Sequence, residues 1–176
     1  FIVLQLAIAG VAMYIFGKTI QSTRLGAFIA GCVFQLSGFL IVSVVHPMIV
    51  AAASWLPLLL ALIDLTIRRA SFLNRKQTML PWALLGAGVL GIQILAGHAE
   101  MTYFSLLVAA AFSGWRLIYA AIKIPKRQWV SQILSPVVGV VIIFILGLCL
   151  GAVQLIPFYE VVTSSFRQDA VSLQAV

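Results

Sequence analysis

Six apolar runs, each near the length of a bilayer crossing, fill most of this 176-residue chain, and the connections between them alternate in charge. The runs are roughly 1–17, 25–45, 49–67, 79–96, 101–122 and 130–156. A hydrocarbon core of about 30 Å takes about 20 helical residues. Lipid cannot satisfy unpaired backbone groups, so such runs must be helices. One set of connections is basic: Lys18 and Arg24, then Arg68, Arg69, Arg75 and Lys76, then Lys123, Lys126 and Arg127. The other set holds His46, then His98 and Glu100, then Glu160, Arg167 and Asp169. With Arg116 near the end of its run, ten of the eleven Lys and Arg residues lie on one side and only Arg167 on the other. Lys and Arg in short loops stay cytoplasmic, so the basic side reads as inside and the His/Glu turns as external. The expected fold is all-α, a polytopic transmembrane helix bundle of about six crossings plus an outer amphipathic helix.

Composition agrees. A hydrophobic content of 63%, a charged content of 9% and a mean hydropathy of +1.16 lie outside the range of soluble domains. The net charge of +7 would suggest nucleic acid in a soluble protein. Here its one-sided distribution accounts for it, and the partner it implies is the lipid bilayer with its anionic headgroups, not nucleic acid. Cys32 and Cys149 fall inside apolar runs, where they act as small hydrophobes. Phe1 starts in mid-run without an initiator Met or a basic leader, and Val176 ends without a stop signal. Residues 1–176 therefore read as part of one transmembrane domain whose N- and C-terminal parts are missing.

Within the runs, Asp64 stands one turn before Arg68 and reads as its i,i+4 partner at the cytoplasmic surface. Gly147 with Gly151, and Ala27 with Gly31, are small-residue pairs of the kind that let membrane helices approach closely. Gly31, Gln35 and Gly38 follow at i, i+4 and i+7, which turns the Gln35 amide into the bundle.

The polar residues of the external side are the candidate site. His46-Pro47 closes the second run, because a residue before proline disfavours helix. His46 reads either as an interfacial histidine or as a hydrogen-bonding group of an outer cavity. Trp55 is an interface anchor or a stacking platform for a sugar, and Pro57 kinks its helix, making 48–56 a tilted or partly re-entrant approach. Gly97 suits the position after a helix end, which puts Glu100 in the first turn of the next helix, where the dipole favours a carboxylate. An ionisable residue at a membrane boundary is also a functional candidate. Pro157 is expected to end the sixth crossing and open a surface helix carrying Glu160, Thr163/Ser164 and Arg167 on one stripe. A guanidinium there suits a lipid phosphate. His98 and Glu100 are too few ligands to define a metal site; a divalent cation stays open as cofactor.

In order along the chain, FQLSGF (Phe34 to Phe39), His46-Pro47, WLPLLL (Trp55 to Leu60), AGHAE (Ala96 to Glu100) and GAVQLIPFYE (Gly151 to Glu160), closing on Ser165 and Arg167, resemble the YfhO-type bacterial membrane proteins of the GT-C group of glycosyltransferases. The resemblance covers nearly the whole chain. It implies an enzyme of the bacterial cytoplasmic membrane that moves a sugar from a polyprenyl-phosphate donor to an envelope glycopolymer or lipid acceptor on the outer face. In that group the acidic catalytic residue usually sits in the first outer loop, which would precede Phe1. The outer residues that match are His46, His98, Glu100, Gln154, Glu160 and Arg167. Glu100, His98 and Glu160 are then catalytic candidates, and His46, Gln154, Arg167, Trp55 and Gln35 substrate-binding ones.

Two other readings compete. A lipid or solute transporter or flippase would place polar groups near mid-membrane at broken helices, whereas only Gln35, Gln93 and a few Ser/Thr approach mid-depth here. A non-catalytic membrane subunit would not depend on the His and Glu residues at all.

Overall fold

The computed structural model describes residues 1–71, 79–122 and 129–164. Along the chain run α1 (Ile2–Thr19), α2 (Arg24–Gln35), α3 (Gly38–Val42), a 3-10 turn (Ser43–Val45), α4 (Pro47–Ser54), α5 (Leu56–Ser71), α6 (Leu80–Leu95), α7 (Ala99–Ile122) and α8 (Trp129–Thr163). Among the described residues there is no strand, and the molecule is a polytopic helical bundle. Each expected crossing corresponds to a helix or to a broken pair. Five are long and apolar enough to span a membrane, and α6, at 16 residues, is the short one. Its 16 residues rise about 24 Å. One face of it packs inside the bundle, from Ala83 through Gly86, Leu90 and Ile94.

The second crossing is not continuous. α2 ends at Gln35, and Ser37 starts α3 as its cap, its Oγ accepting from the Leu40 N–H at 3.4 Å. The break takes Gly38 off the Gly31–Gln35 face, and no neighbouring atom lies within 4 Å of a Cβ placed there. Gln35 itself does turn inward, with its side chain lying over Gly10 of α1. The third crossing is interrupted at Trp55, with Pro57 in the first turn of α5, where its missing N–H costs nothing. Val50 through Ser54 are all buried, and α4 and α5 form one kinked span over Pro47–Ala70.

α5 is the centre of the bundle. An 18-residue stretch of the α4–α5 span is 61% buried against 11% for the α2–α3 span. Leu59, Leu62, Ile63 and Ile67 of α5 meet Leu90 and Ile94 of α6, Ala109 of α7 and Val140 and Ile143 of α8. A second cluster joins Ala9, Leu40, Val50 and Ala53, and Met101 of α7 packs against it. Buried hydroxyls close on their own helix: Ser54, Thr66 and Ser113 donate to the carbonyls four residues back at 2.6, 2.7 and 2.6 Å.

α6 and α8 interlock through glycines. Gly86 and Gly91 of α6 receive Ile143 and Leu150, while Gly147 and Gly151 of α8 receive Leu90 and Ile94. Ala27 and Gly31 of α2 close on Gly17 and Gly10 of α1. Asp64 pairs with Arg68 as the spacing predicts, Arg68 Nε lying 2.9 Å from Oδ2, but the carboxylate is wholly buried rather than at the surface. Its other oxygen meets the guanidinium of Arg116 from α7, which stacks near Trp115 and Tyr119 at 5.7 and 6.0 Å from the ring centroids.

α8 departs from expectation at its end. Pro157 does not stop it: the helix runs unbroken for 35 residues with Pro136 and Pro157 inside. At 1.5 Å per residue it is about 52 Å long, well beyond a hydrocarbon core, so the turns after Pro157 extend the crossing instead of folding along a surface. Proline removes one intrahelical bond, and here the helix carries that loss. Arg75, Lys76, Lys123, Lys126, Arg127, Ser165, Arg167 and Asp169 lie outside the described residues.

Candidate functional site

One end of the bundle brings Gln154 to the turn that carries His98 and Glu100. The α6–α7 turn forms as its sequence dictates. Ala96 closes α6 and Gly97 follows at φ +81°, the left-handed position that favours glycine. Gly97 N donates to the Ile94 carbonyl at 3.1 Å. His98 then starts α7: its Nδ1 accepts from the Met101 N–H at 3.1 Å, and its carbonyl accepts from Thr102 Oγ1 at 3.0 Å. A nitrogen that accepts carries no proton, so Nε2 is the ring position left to donate. Glu100 stands exposed in the first turn. Among the described residues it has no ion-pair partner, and the helix N-terminus favours its charge.

Gln154 of α8 reaches this turn. Its Nε2 would lie 3.7 Å from a Cβ on Gly97. With Gly97, Ala99, Thr102, Tyr103 and Phe158 it lines a cavity of about 160 Å³ between α6, α7 and α8. Thr102 and Tyr103 are site residues that sequence reasoning missed. Their only signal was position, at the start of α7 within three residues of Glu100.

Other candidates stand apart. His46 is exposed at the start of α4, preceding Pro47 at N1. Trp55 belongs to neither the α6–α7 turn nor its cavity. It sits at the α4–α5 break, half-buried, and lines a separate cavity together with Pro47 and Gln5. Gln35 belongs to a groove between α1 and α2 that also includes Tyr14 and Cys32. Glu160 is exposed on the last turns of α8, and six residues beyond Gln154 it is turned about 120° away around the helix. Arg167 lies outside the described residues. Among the described residues no three His, Cys, Asp or Glu side chains gather as a metal would need.

Helix length and apolarity define an integral membrane protein of the polytopic helical class. No family model, no curated protein and no solved structure matches the chain.

Proposed function

We propose that this chain is the membrane-embedded part of a glycosyltransferase-like protein resembling the YfhO type, acting at the bundle end that carries His98 and Glu100 on a lipid-linked sugar donor. The observation that carries this reading is the cavity that Gln154 shares with Gly97, Ala99, Thr102 and Tyr103; His98 and Glu100, the latter without an ion-pair partner among the described residues, flank Ala99 in the chain but do not line it. Glycosyl transfer needs a base for the acceptor hydroxyl and hydrogen-bond donors for the departing phosphate. Glu100 supplies the first, and the His98 Nε2 and Gln154 amide groups supply the second. Sidedness follows from the ten-to-one distribution of cations: this end faces away from the cytoplasm of a bacterial membrane.

Two measurements test the reading. In a background with Cys32 and Cys149 replaced, a cysteine at Ala99 reacts with a membrane-impermeant thiol reagent in intact cells, while cysteines at Gln77 and Gln128 stay protected. Labelling of the last two would reverse the orientation. Separately, Glu100→Gln lowers sugar transfer at least about tenfold at unchanged protein level, in line with the loss of a general base. His98→Asn keeps a helix-starting side chain but removes the imidazole, and it too lowers transfer. Full activity in both variants would leave Glu100 a dipole partner and His98 a helix cap only.

A further inference from the structure

A second cavity, of about 370 Å³, opens between α1, α4 and α6 at the same end of the bundle. Its mouth is made of apolar side chains that face outward from the bundle: Met48, Ile92 and Leu95 are 55, 47 and 53% exposed. In a membrane those surfaces meet lipid, so the cavity is entered sideways from the bilayer. Deeper in, Ala51 and Gln5 are buried, and Trp55 lies at the helix break. Gln5 carries the one side-chain amide of the lining, and the indole N–H of Trp55 is its other side-chain polar group. Gln5 is 9% exposed, and among the described residues its Oε1 is buried without a hydrogen-bond partner.

Three physical constraints select the occupant. A chain of waters needs two to four polar partners for each molecule, and one amide and one indole N–H among apolar walls cannot hold them over this volume. No ionisable side chain lines the space, so a phosphate or carboxylate would enter without a counter-charge, at prohibitive cost. An unpaired glutamine amide offers a donor or an acceptor, depending on how its terminal group is turned, and a hydroxyl can answer either. Trp55 lies eight residues beyond Pro47, about 12 Å deeper than the turn. The polar group of a ligand therefore rests on Gln5, and its chain follows the apolar walls past Trp55.

We propose that this cavity binds a neutral, hydroxyl-bearing lipid that enters from the bilayer, its hydroxyl on Gln5 and its chain along Trp55. Occupancy of the cavity is independent of sugar transfer, and the experiment reads occupancy alone. The full protein is reconstituted in phosphatidylcholine vesicles containing either a diacylglycerol with a photoreactive diazirine on one acyl chain or the matching diazirine phosphatidic acid. After irradiation, labelled peptides are mapped by mass spectrometry. α2, whose Phe28 and Val33 are exposed, reports contact with bulk lipid.

Expected is labelling by the diacylglycerol of the Met48–Trp55 and Ile92–Ala96 segments, competed away by excess unlabelled diacylglycerol while α2 labelling is not. Phosphatidic acid labels α2 but not the cavity. Gln5→Leu, which keeps the bulk and removes the amide, raises the competitor concentration needed by about fivefold to tenfold, the scale of one hydrogen bond. Cavity labelling that cannot be competed, or that is equal for the two lipids, overturns the assignment. So does labelling of α2 with none in the cavity. The unmodified protein alone decides these outcomes if the Gln5 variant does not fold, and a folded Gln5→Leu with an unchanged competition curve removes Gln5 from the site.

Discussion

Replacing Asp64 with Ala is expected to destabilise the bundle by about 3–5 kcal/mol, the range for breaking a buried ion pair from one side. The carboxylate is wholly buried and holds two guanidinium groups, Arg68 from its own helix and Arg116 from α7. Without it, two cations whose side chains are 29% and 14% exposed face each other with no anion between them. That residual exposure lets water relieve part of the repulsion, which favours the lower end of the range. Asp64→Asn keeps the volume and one acceptor but not the charge, so it falls between Ala and the parent. Arg116→Met leaves the Asp64–Arg68 pair intact and costs less than Asp64→Ala. Unfolding in a graded mixture of mild and denaturing detergent measures all three. An Asp64→Ala protein within about 0.5 kcal/mol of the parent, the scale of an ordinary surface change, would show that the cluster carries no stability. A double-mutant cycle between Asp64 and Arg116 isolates the α5–α7 link, because contacting residues couple by about 0.5–3 kcal/mol.

The second large effect lies at the α6–α8 seam. A Cβ on Gly147 would sit 2.5 Å from Leu90 Cδ2 and 2.8 Å from Leu90 Cβ, and one on Gly151 would sit 2.5 Å from Ile94 Cγ2. Such contacts force the helices apart, and overpacking of this kind costs about 1–3 kcal/mol per site. The pair Gly147→Ala and Gly151→Ala is therefore expected to lose about 2–6 kcal/mol if the sites add. Gly88, on the same helix as Leu90, has no neighbouring atom within 4 Å of its would-be Cβ. Gly88→Ala should be neutral or stabilising by up to about 1 kcal/mol, which separates crowding from helix propensity. Shortening the opposing residue supplies a further check: Leu90→Ala in the Gly147→Ala background should be less harmful than the two single losses combined. Equal behaviour of Gly88→Ala and Gly147→Ala would mean that the seam is not close-packed.

Both predictions also mark where the chain's local rules end. The small-residue pair at 147 and 151 was readable from spacing, but its partner was not. Leu90 and Ile94 become that partner only when α6 and α8 take one particular rotation, and helices that are apolar on all sides carry no periodic signal for rotation. Asp64–Arg68 was readable because i,i+4 neighbours meet in any helix. Arg116 was not, since it lies 52 residues further on (64 to 116) and on another helix.

At the candidate site the division is the same. Gly97 and Glu100 were legible because helix ends obey local chemistry: a left-handed glycine closes α6, and a carboxylate suits the start of α7. Thr102 and Tyr103 were not, because only the approach of α8 turns them into a shared wall with Gln154. Gln5 gave no sign at all, being one amide in an otherwise apolar run; the packing of α1 against α4 and α6 makes it a cavity residue. Pro157 was misread for a related reason. A rule for where proline begins helices is statistical, and α8 continues through it with the loss of a single backbone bond.

By itself, then, the sequence determined that the chain is an integral membrane protein of the helical class, which runs form its crossings and roughly where it turns. Those properties follow from solvation of the backbone and side chains, which is local to each residue. Tertiary structure alone decided that α5 is central, that Asp64 is buried between two arginines, that α6 and α8 interlock, and which polar groups share a cavity. In lipid the hydrophobic effect does not choose between helix faces, so close packing and buried polar pairs make that choice, and both exist only once the helices have met.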